Sequence, residues 1–337
     1  MQKLCVIPGD GIGLEVIPAA VQVLEKVIPD LYIVKADAGW DCFQKHGVSV
    51  PDDTIAAIRE CGAALFGAVS SPATKVKGYR SAILSMRQSL DLYANIRPVQ
   101  SLPGVSPRTD IDMIIVRENT EGLYAGLETL EQGRATATRV ITKTASTRIA
   151  EKAVSLLISQ NRKKISIIHK ANILPLTDGL FRDSVREVIA QYKKDGVHIL
   201  TDEILVDVAA FKMLNAPQAY DVIVTTNLFG DILSDAAAFW CGGMGLAPSI
   251  NLGDQIALAE PVHGSAPDIA GKGIANPIAA ILSASLLARF AWQCEDSAVK
   301  IEKAVQCALI DLTKNGTQPL QPNRTTQTIL NAILAHL

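Results

Sequence analysis

Val222-Ile223-Val224-Thr225-Thr226-Asn227-Leu228-Phe229-Gly230-Asp231-Ile232-Leu233-Ser234-Asp235 changes its hydrophobic pattern part-way along. Residues 222–226 form a β-branched run that suits a strand buried on both faces, whereas 230–239 places apolar residues at helical spacing. A buried strand feeding straight into an amphipathic helix is the unit from which α/β domains are built. The same alternation extends outward in both directions. Strands are predicted at 4–7, 31–36, 63–67, 91–97, 112–117, 139–142, 164–169, 198–202 and 256–260. Helices are predicted at 14–27, 81–89, 146–160, 177–193, 206–214, 277–292, 296–312 and 325–336. The expected class is α/β, not a helical bundle or a β-sandwich.

A chain of 337 residues with 48% hydrophobic content has enough apolar material for about two domains. The Pro/Gly/Ser stretch 98–107 and the Gly-rich stretch 242–253 are the two candidate hinges, which predicts a discontinuous first domain, 1–98 with 251–337, and an inserted domain, 99–250. Lys and Arg number 32 against 34 Asp and Glu, so no global positive field exists to hold a nucleic acid. The start of the chain lacks the charged and long apolar regions of a signal peptide. Its longest weakly polar stretch, 276–288, falls short of the ~20 residues that span a bilayer. Cys5, Cys42, Cys61, Cys241, Cys294 and Cys307 form no CxxC pair, which points to reduced thiols and a cytoplasmic protein without a membrane partner.

Pro8-Gly9-Asp10-Gly11-Ile12-Gly13 follows a strand and opens a helix, but a dinucleotide fingerprint would require glycine at position 14, which is Leu14. A tight turn and a ligand loop are both compatible with it. Asp231 and Asp235 stand four apart on a mostly apolar helix, and Asp207 sits at a strand-to-helix junction. Oxygen donors without nearby His or Cys suit a hard cation, Mg²⁺ or Mn²⁺; the alternative is one aspartate complementing the helix dipole and one facing solvent. Arg87, Arg97 and Arg117 are placed near element ends, where guanidinium forks could bind a multiply charged carboxylate or simply face solvent. Lys170 ends the strand 164–169, where α/β proteins place their chemistry, and is either a base or a surface charge. Tyr124 closes the run 117–124 and reads by itself as a core edge.

Taken together, GDGIG, DLYANIRP, RENTEGLY, HKAN, TTNLFGDILSD and HGSAPDIAGKGIANP resemble the metal-dependent decarboxylating dehydrogenases of 2-hydroxy acids, the isocitrate/isopropylmalate dehydrogenase family. The resemblance implies a two-domain fold distinct from the true Rossmann fold. It implies a larger cofactor-binding domain and a smaller inserted one with dimer contacts and the metal and catalytic residues. It also implies a homodimer or dimer of dimers with shared active sites, acting on a small tricarboxylate. On this likeness Arg87, Arg97 and Arg117 bind substrate carboxylates, and Asp207, Asp231 and Asp235 bind Mg²⁺ or Mn²⁺. Tyr124 and Lys170 form the acid/base pair and also touch substrate, with Lys170 and Asp207 expected from the partner chain; Asn172 lies near substrate and nicotinamide. The cofactor residues it implies are Ile12, Ser71, Asn172, His263, Gly264, Ser265, Ala266, Asp268, Ile269 and Asn276.

Asp268 can accept a bond from a ribose 2'-hydroxyl and would repel a 2'-phosphate, while NADP-using relatives carry lysine and tyrosine at Asp268 and Ile269; the implied cofactor is NAD. Substrate choice is expected from the segment 78–87, through Ser81 and Ile83. RENTEGLY resembles the isocitrate and homoisocitrate branches, and isocitrate enzymes usually carry asparagine where this chain has Ile83. Together with Ser81 and the stretch 74–79 this favours homoisocitrate, with lysine biosynthesis as the setting. The alternatives are isocitrate, then 3-isopropylmalate, for which Ile83 and Leu84 offer an apolar wall. A non-catalytic regulatory subunit is opposed by retention of the whole acid/base and metal set.

Overall fold

Apolar runs become strands and amphipathic segments helices along most of the chain, in a computed structural model that describes residues 1–72, 74, 76–314 and 324–337; Lys75 of the stretch 74–79 lies outside them. The first elements are β1 (Lys3–Gly9), α1 (Gly13–Val27), β2 (Tyr32–Lys35), α2 (Trp40–His46), α3 (Asp52–Cys61), β3 (Ala63–Ala68), α4 (Ala82–Ser89) and β4 (Ala94–Gln100). Then come β5 (Asp112–Glu118), β6 (Gly122–Glu131), β7 (Arg134–Val140), α5 (Lys143–Ser159), β8 (Lys164–His169), α6 (Thr177–Lys194), β9 (Leu200–Leu205) and α7 (Val206–Asn215). The chain continues with β10 (Val222–Thr225), α8 (Asn227–Ala237), β11 (Pro248–Leu252), β12 (Ala257–Pro261), α9 (Ile278–Phe290), α10 (Glu295–Thr313) and α11 (Thr326–Leu334).

Two compact units result: Met1–Leu92 with Ser101–Thr109 and Ala238–Leu337, and Tyr93–Gln100 with Asp110–Ala237. The sequence reading places 93–98 in the first segment and 101–109 and 238–250 in the insert; the structure assigns each to the other unit. The first unit orders its strands β2-β1-β3-β12-β11, parallel except for β11. In its interior α9 is buried at every position from Ile278 to Ala288, which accounts for the weakly polar run there. No helix among the described residues is long and apolar enough to cross a membrane. The second unit orders its strands β4-β5-β10-β8-β9, with β4 antiparallel to β5 and the other pairs parallel. Parallel pairing directs the C-terminal ends of β5, β8, β9 and β10 to one side, where Arg117 stands near the end of β5 and Lys170, Asp207 and α8 follow their strands.

Some elements depart from the pattern. β6 and β7 form a separate hairpin whose residues are mostly exposed, so no buried face imposed an alternation, and only the end of β7 was foreseen. β11 lies inside the supposed hinge 242–253. Its Pro248, Ser249 and Asn251 look like loop residues, yet the strand is buried throughout because Ser249 Oγ donates to the Glu260 carbonyl and Asn251 Nδ2 to Leu258 O. Sequence spacing also missed the short helices α2 and α3.

Candidate active site

In the second unit the charged groups are drawn together by close backbone approach. Gly230 opens the way for α8 to lie on β5: a Cβ there would stand 2.6 Å from Arg117 Cγ. Asp231 and Asp235 project from one side of the helix, as their spacing dictates. Arg117, only 1% exposed, donates through Nη1 to Asp231 Oδ1, and its guanidinium lies 5.1 Å from the centre of the Tyr124 ring. The Tyr124 hydroxyl donates to the other oxygen of Asp231 at 2.5 Å. Arg97 reaches from β4 to Asp235 Oδ1 at 2.7 Å and lies 3.5 Å from Asp231 Oδ1. Burial, and after it the Asp231 acceptor, push the Tyr124 phenol above its ordinary range, so it holds its proton at neutral pH.

Lys170, immediately after β8, pairs instead with Asp207 in the first turn of α7 and holds that carboxyl below the ordinary carboxylate range. Among the described residues no three His, Cys, Asp or Glu side chains converge as a cation requires, so within one chain Asp207 does not join Asp231 and Asp235. The two α8 carboxylates nevertheless fit a hard cation: they are oxygen donors, and Asp231 and Asp235 keep 31% and 46% of their side-chain surface exposed. Asn172 is exposed beyond Lys170.

The first unit gathers another set of expected residues. Gly11 adopts φ +57°, and a Cβ on it would lie 2.2 Å from the Ser265 carbonyl oxygen, which the Ile12 amide meets at 2.9 Å. The loop 9–13 and the loop 263–268 are thus pressed together by backbone. His263 directs Nδ1 to the Gly264 carbonyl, and its Nε2 is buried without a partner; Asn276 accepts from the Ile278 amide and leaves Nδ2 buried without one. With Nδ1 protonated, His263 offers an acceptor and Asn276 a donor, a pair that fits the hydrogen-bonding edge of a nucleobase. Burial holds His263 below its ordinary range and so neutral. Ser265 is buried, Ala266 takes φ +39°, Gly264 and Asp268 are exposed, and Ile269 is partly buried.

Arg87, at the end of α4, is buried against Glu260 at 2.8 Å. Ser81 caps α4 without a side-chain bond to it, and Ile83 packs on the core of its unit, so part of its apolar surface is already covered. Glu121, which could have met a polar substrate arm, instead accepts the amide and hydroxyl of Thr142.

Residues 3–333 match the model of the isocitrate/isopropylmalate dehydrogenase family. The chain is 49% identical to isocitrate/homoisocitrate dehydrogenase of Thermus thermophilus over 335 residues, covering 99% of this chain and 98% of that one. This chain belongs to the isocitrate/isopropylmalate dehydrogenase family. Homoisocitrate dehydrogenase of Methanocaldococcus jannaschii is 45% identical, covering 100% of this chain and 98% of the relative. The 3-isopropylmalate dehydrogenase of Methanothermobacter thermautotrophicus is 46% identical over 92% of this chain and 91% of its own. The crystal structure of isocitrate dehydrogenase from Methylococcus capsulatus matches with TM-score 0.92 and 40% identity, covering 100% of this chain and 99% of that one. Members of the isocitrate/isopropylmalate dehydrogenase family are enzymes that use a divalent metal and NAD(P) on small tricarboxylate or hydroxy-acid substrates.

Sequence reasoning in this dehydrogenase missed Asp10 and Ser70. Asp10 is 1% exposed, and its carboxylate accepts the amides of Trp40, Asp41 and Ser70. Ser70 Oγ bonds Ser265 Oγ at 2.9 Å, while the expected Ser71 is exposed. The one available signal was an aspartate between two glycines, too short to carry a solvated turn alone.

Proposed function

We propose that this enzyme catalyses NAD-dependent oxidative decarboxylation of homoisocitrate to 2-oxoadipate and CO₂ in the cytoplasm, as a homodimer or dimer of dimers. The observation that carries the reading is the Tyr124 hydroxyl on Asp231, with Arg117 on the same carboxylate and Arg97 beside it: an acid, two anion-binding forks and cation ligands in one place. Mg²⁺ or Mn²⁺ on Asp231 and Asp235, with Asp207 from a second copy of the chain, would acidify the substrate hydroxyl and polarise the ketone that replaces it. NAD supplies the hydride acceptor, on the loops 9–13 and 263–269 with Asn276.

The chain's own groups do the rest. Arg97 and Arg117 bind and orient substrate carboxylates through fork geometry. Lys170, from the second copy and as the neutral amine, accepts the hydroxyl proton as the carbon is oxidised. When the bond to the carboxylate β to the new ketone breaks and CO₂ leaves, Tyr124 delivers its proton to the carbon left behind. Its raised phenol pKa keeps the hydroxyl protonated at neutral pH while making it a weaker acid. Exposed Asp268 supports NAD over NADP, since a carboxylate accepts from a 2'-hydroxyl and repels a 2'-phosphate.

Ser81 and the partly exposed surface of Ile83 support a longer polar arm carried on an extra methylene. One methylene is worth about 1–3 kcal/mol of discrimination, so isocitrate is expected to remain a measurable substrate. Steady-state kinetics with NAD on the three acids side by side should rank kcat/KM as homoisocitrate, isocitrate, 3-isopropylmalate. An isocitrate preference of about tenfold or more, ~1.4 kcal/mol, transfers the assignment to isocitrate dehydrogenase. The match to the Methylococcus capsulatus structure favours that second reading.

A further inference from the structure

Arg97 and Arg117 are buried, and a buried guanidinium has five N–H donors to satisfy without water. Arg117 places both Nε and Nη2 on one acceptor, Asn227 Oδ1, at 3.0 and 2.7 Å. Arg97 places Nε on Asn95 Oδ1 at 2.8 Å and Nη1 on Ser234 Oγ at 2.7 Å. In both cases an asparagine oxygen accepts from Nε, while Nη1 reaches an aspartate of α8, Asp231 from Arg117 and Asp235 from Arg97. The Asn227 amide is itself fixed, because Nδ2 donates to the Glu121 carbonyl at 3.0 Å and only its oxygen can face an arginine. Asn95 and Asn227 are 0% and 1% exposed.

A different arrangement exists nearby in the same unit. Arg139 sets both terminal nitrogens on the fully buried Asp178, a fork-to-fork ion pair that fixes the side chain and neutralises it together. An amide fixes without neutralising. Two guanidinium groups and two aspartates make the cluster formally neutral, and a carboxylate in place of either amide would tip it negative, against an anionic substrate.

We infer that Asn95 and Asn227 are positioning residues of the substrate site, neutral clamps that aim Arg97 and Arg117 without adding a further negative charge beside Asp231 and Asp235. This rests on the reading of those arginines as substrate-binding groups. Asn227→Asp, nearly isosteric, should raise KM for homoisocitrate fivefold or more, leave KM for NAD within twofold, and leave Tm unchanged or higher. A merely structural role would instead lower Tm and kcat together and leave the ratio of the two KM values unmoved. Asn95→Asp makes the same test at Arg97 should the first variant fold poorly. A rise in homoisocitrate KM of less than fivefold in the folded variant overturns the inference. A crystal structure of Asn227→Ala gives a readout that needs no turnover: the Arg117 guanidinium should leave the Asp231 carboxylate, and an unmoved guanidinium overturns the clamp. If the unmutated enzyme oxidises none of the three acids yet Arg117 moves in that crystal structure, the functional reading fails and the clamp stands.

Discussion

The charged cluster of the second unit and the paired loops of the first are held in opposite ways. Around α8, side chains from β4, β5, β6 and α8 converge, and the cohesion comes from ion pairs and hydrogen bonds among Arg97, Arg117, Tyr124, Asp231 and Asp235. Around Gly11, backbone meets backbone: Ile12 N bonds Ser265 O, and Asp10 gathers amides from Trp40, Asp41 and Ser70. Apart from the close approach at Gly230, the first arrangement is held by charge and does not tolerate the loss of one. The second tolerates changes of charge at its rim but not an added methyl group. That difference says which substitution damages which site.

The largest effect is expected from a charge. Asp231 is the shared acceptor of Arg117 and Tyr124, so Asp231→Asn keeps the shape and removes the anion that both address. Removing one partner of a buried ion pair typically costs about 3–5 kcal/mol. kcat/KM for the hydroxy acid should fall by about 1,000-fold or more, ~4 kcal/mol of barrier. Retention within tenfold, measured at saturating NAD and metal, would break the contrast, because the cluster would then not depend on charge.

A methyl group should give the next largest effect. Gly11→Ala puts a Cβ on a left-handed residue, about 1–2 kcal/mol unfavourable by itself, and within 2.2 Å of the Ser265 carbonyl oxygen. The loops must separate, so KM for NAD should rise about tenfold, ~1.4 kcal/mol of binding, while KM for the hydroxy acid stays within twofold. If both constants rose equally, the backbone pairing would not be specific to the cofactor loops.

How much of this was legible follows the same division. The i, i+4 aspartates, the strand-end lysine and the alternation of strands with helices are periodic or terminal features, and spacing displays them. Asp10 and Ser70 were not visible as partners, because their bonds run to segments about 30 to 195 residues away and no pattern in sequence encodes such distances. Asn95 and Asn227 were hidden by being neutral: a charge search finds the arginine and the aspartate and passes over the amide between them. β11 was hidden by its proline and asparagine, whose polar groups are satisfied only across the sheet.

The smallest expected effect separates the two regions by pH. His263 is held below its ordinary value of 6.5 by burial. Between that native value and 6.5 the unfolded chain binds a proton that the folded chain refuses, so stability is complete above about pH 6.5 and falls as pH drops through the window. His169, in the second unit, is shifted the same way by burial, partly offset by Glu203, so the whole protein mixes both contributions. Subtracting a His263→Gln variant isolates the first unit's share. Thermal melts from about pH 7.5 to about pH 5 should show the unmutated protein losing a degree or two relative to the variant as the pH falls. Parallel curves would mean that the His263 ring gains its proton freely in the folded protein. Addition of NAD sharpens the comparison: a ligand that donates to the neutral Nε2 disfavours the protonated ring further, so the NAD-induced rise in Tm should shrink toward pH 5 in the unmutated enzyme and less in His263→Gln.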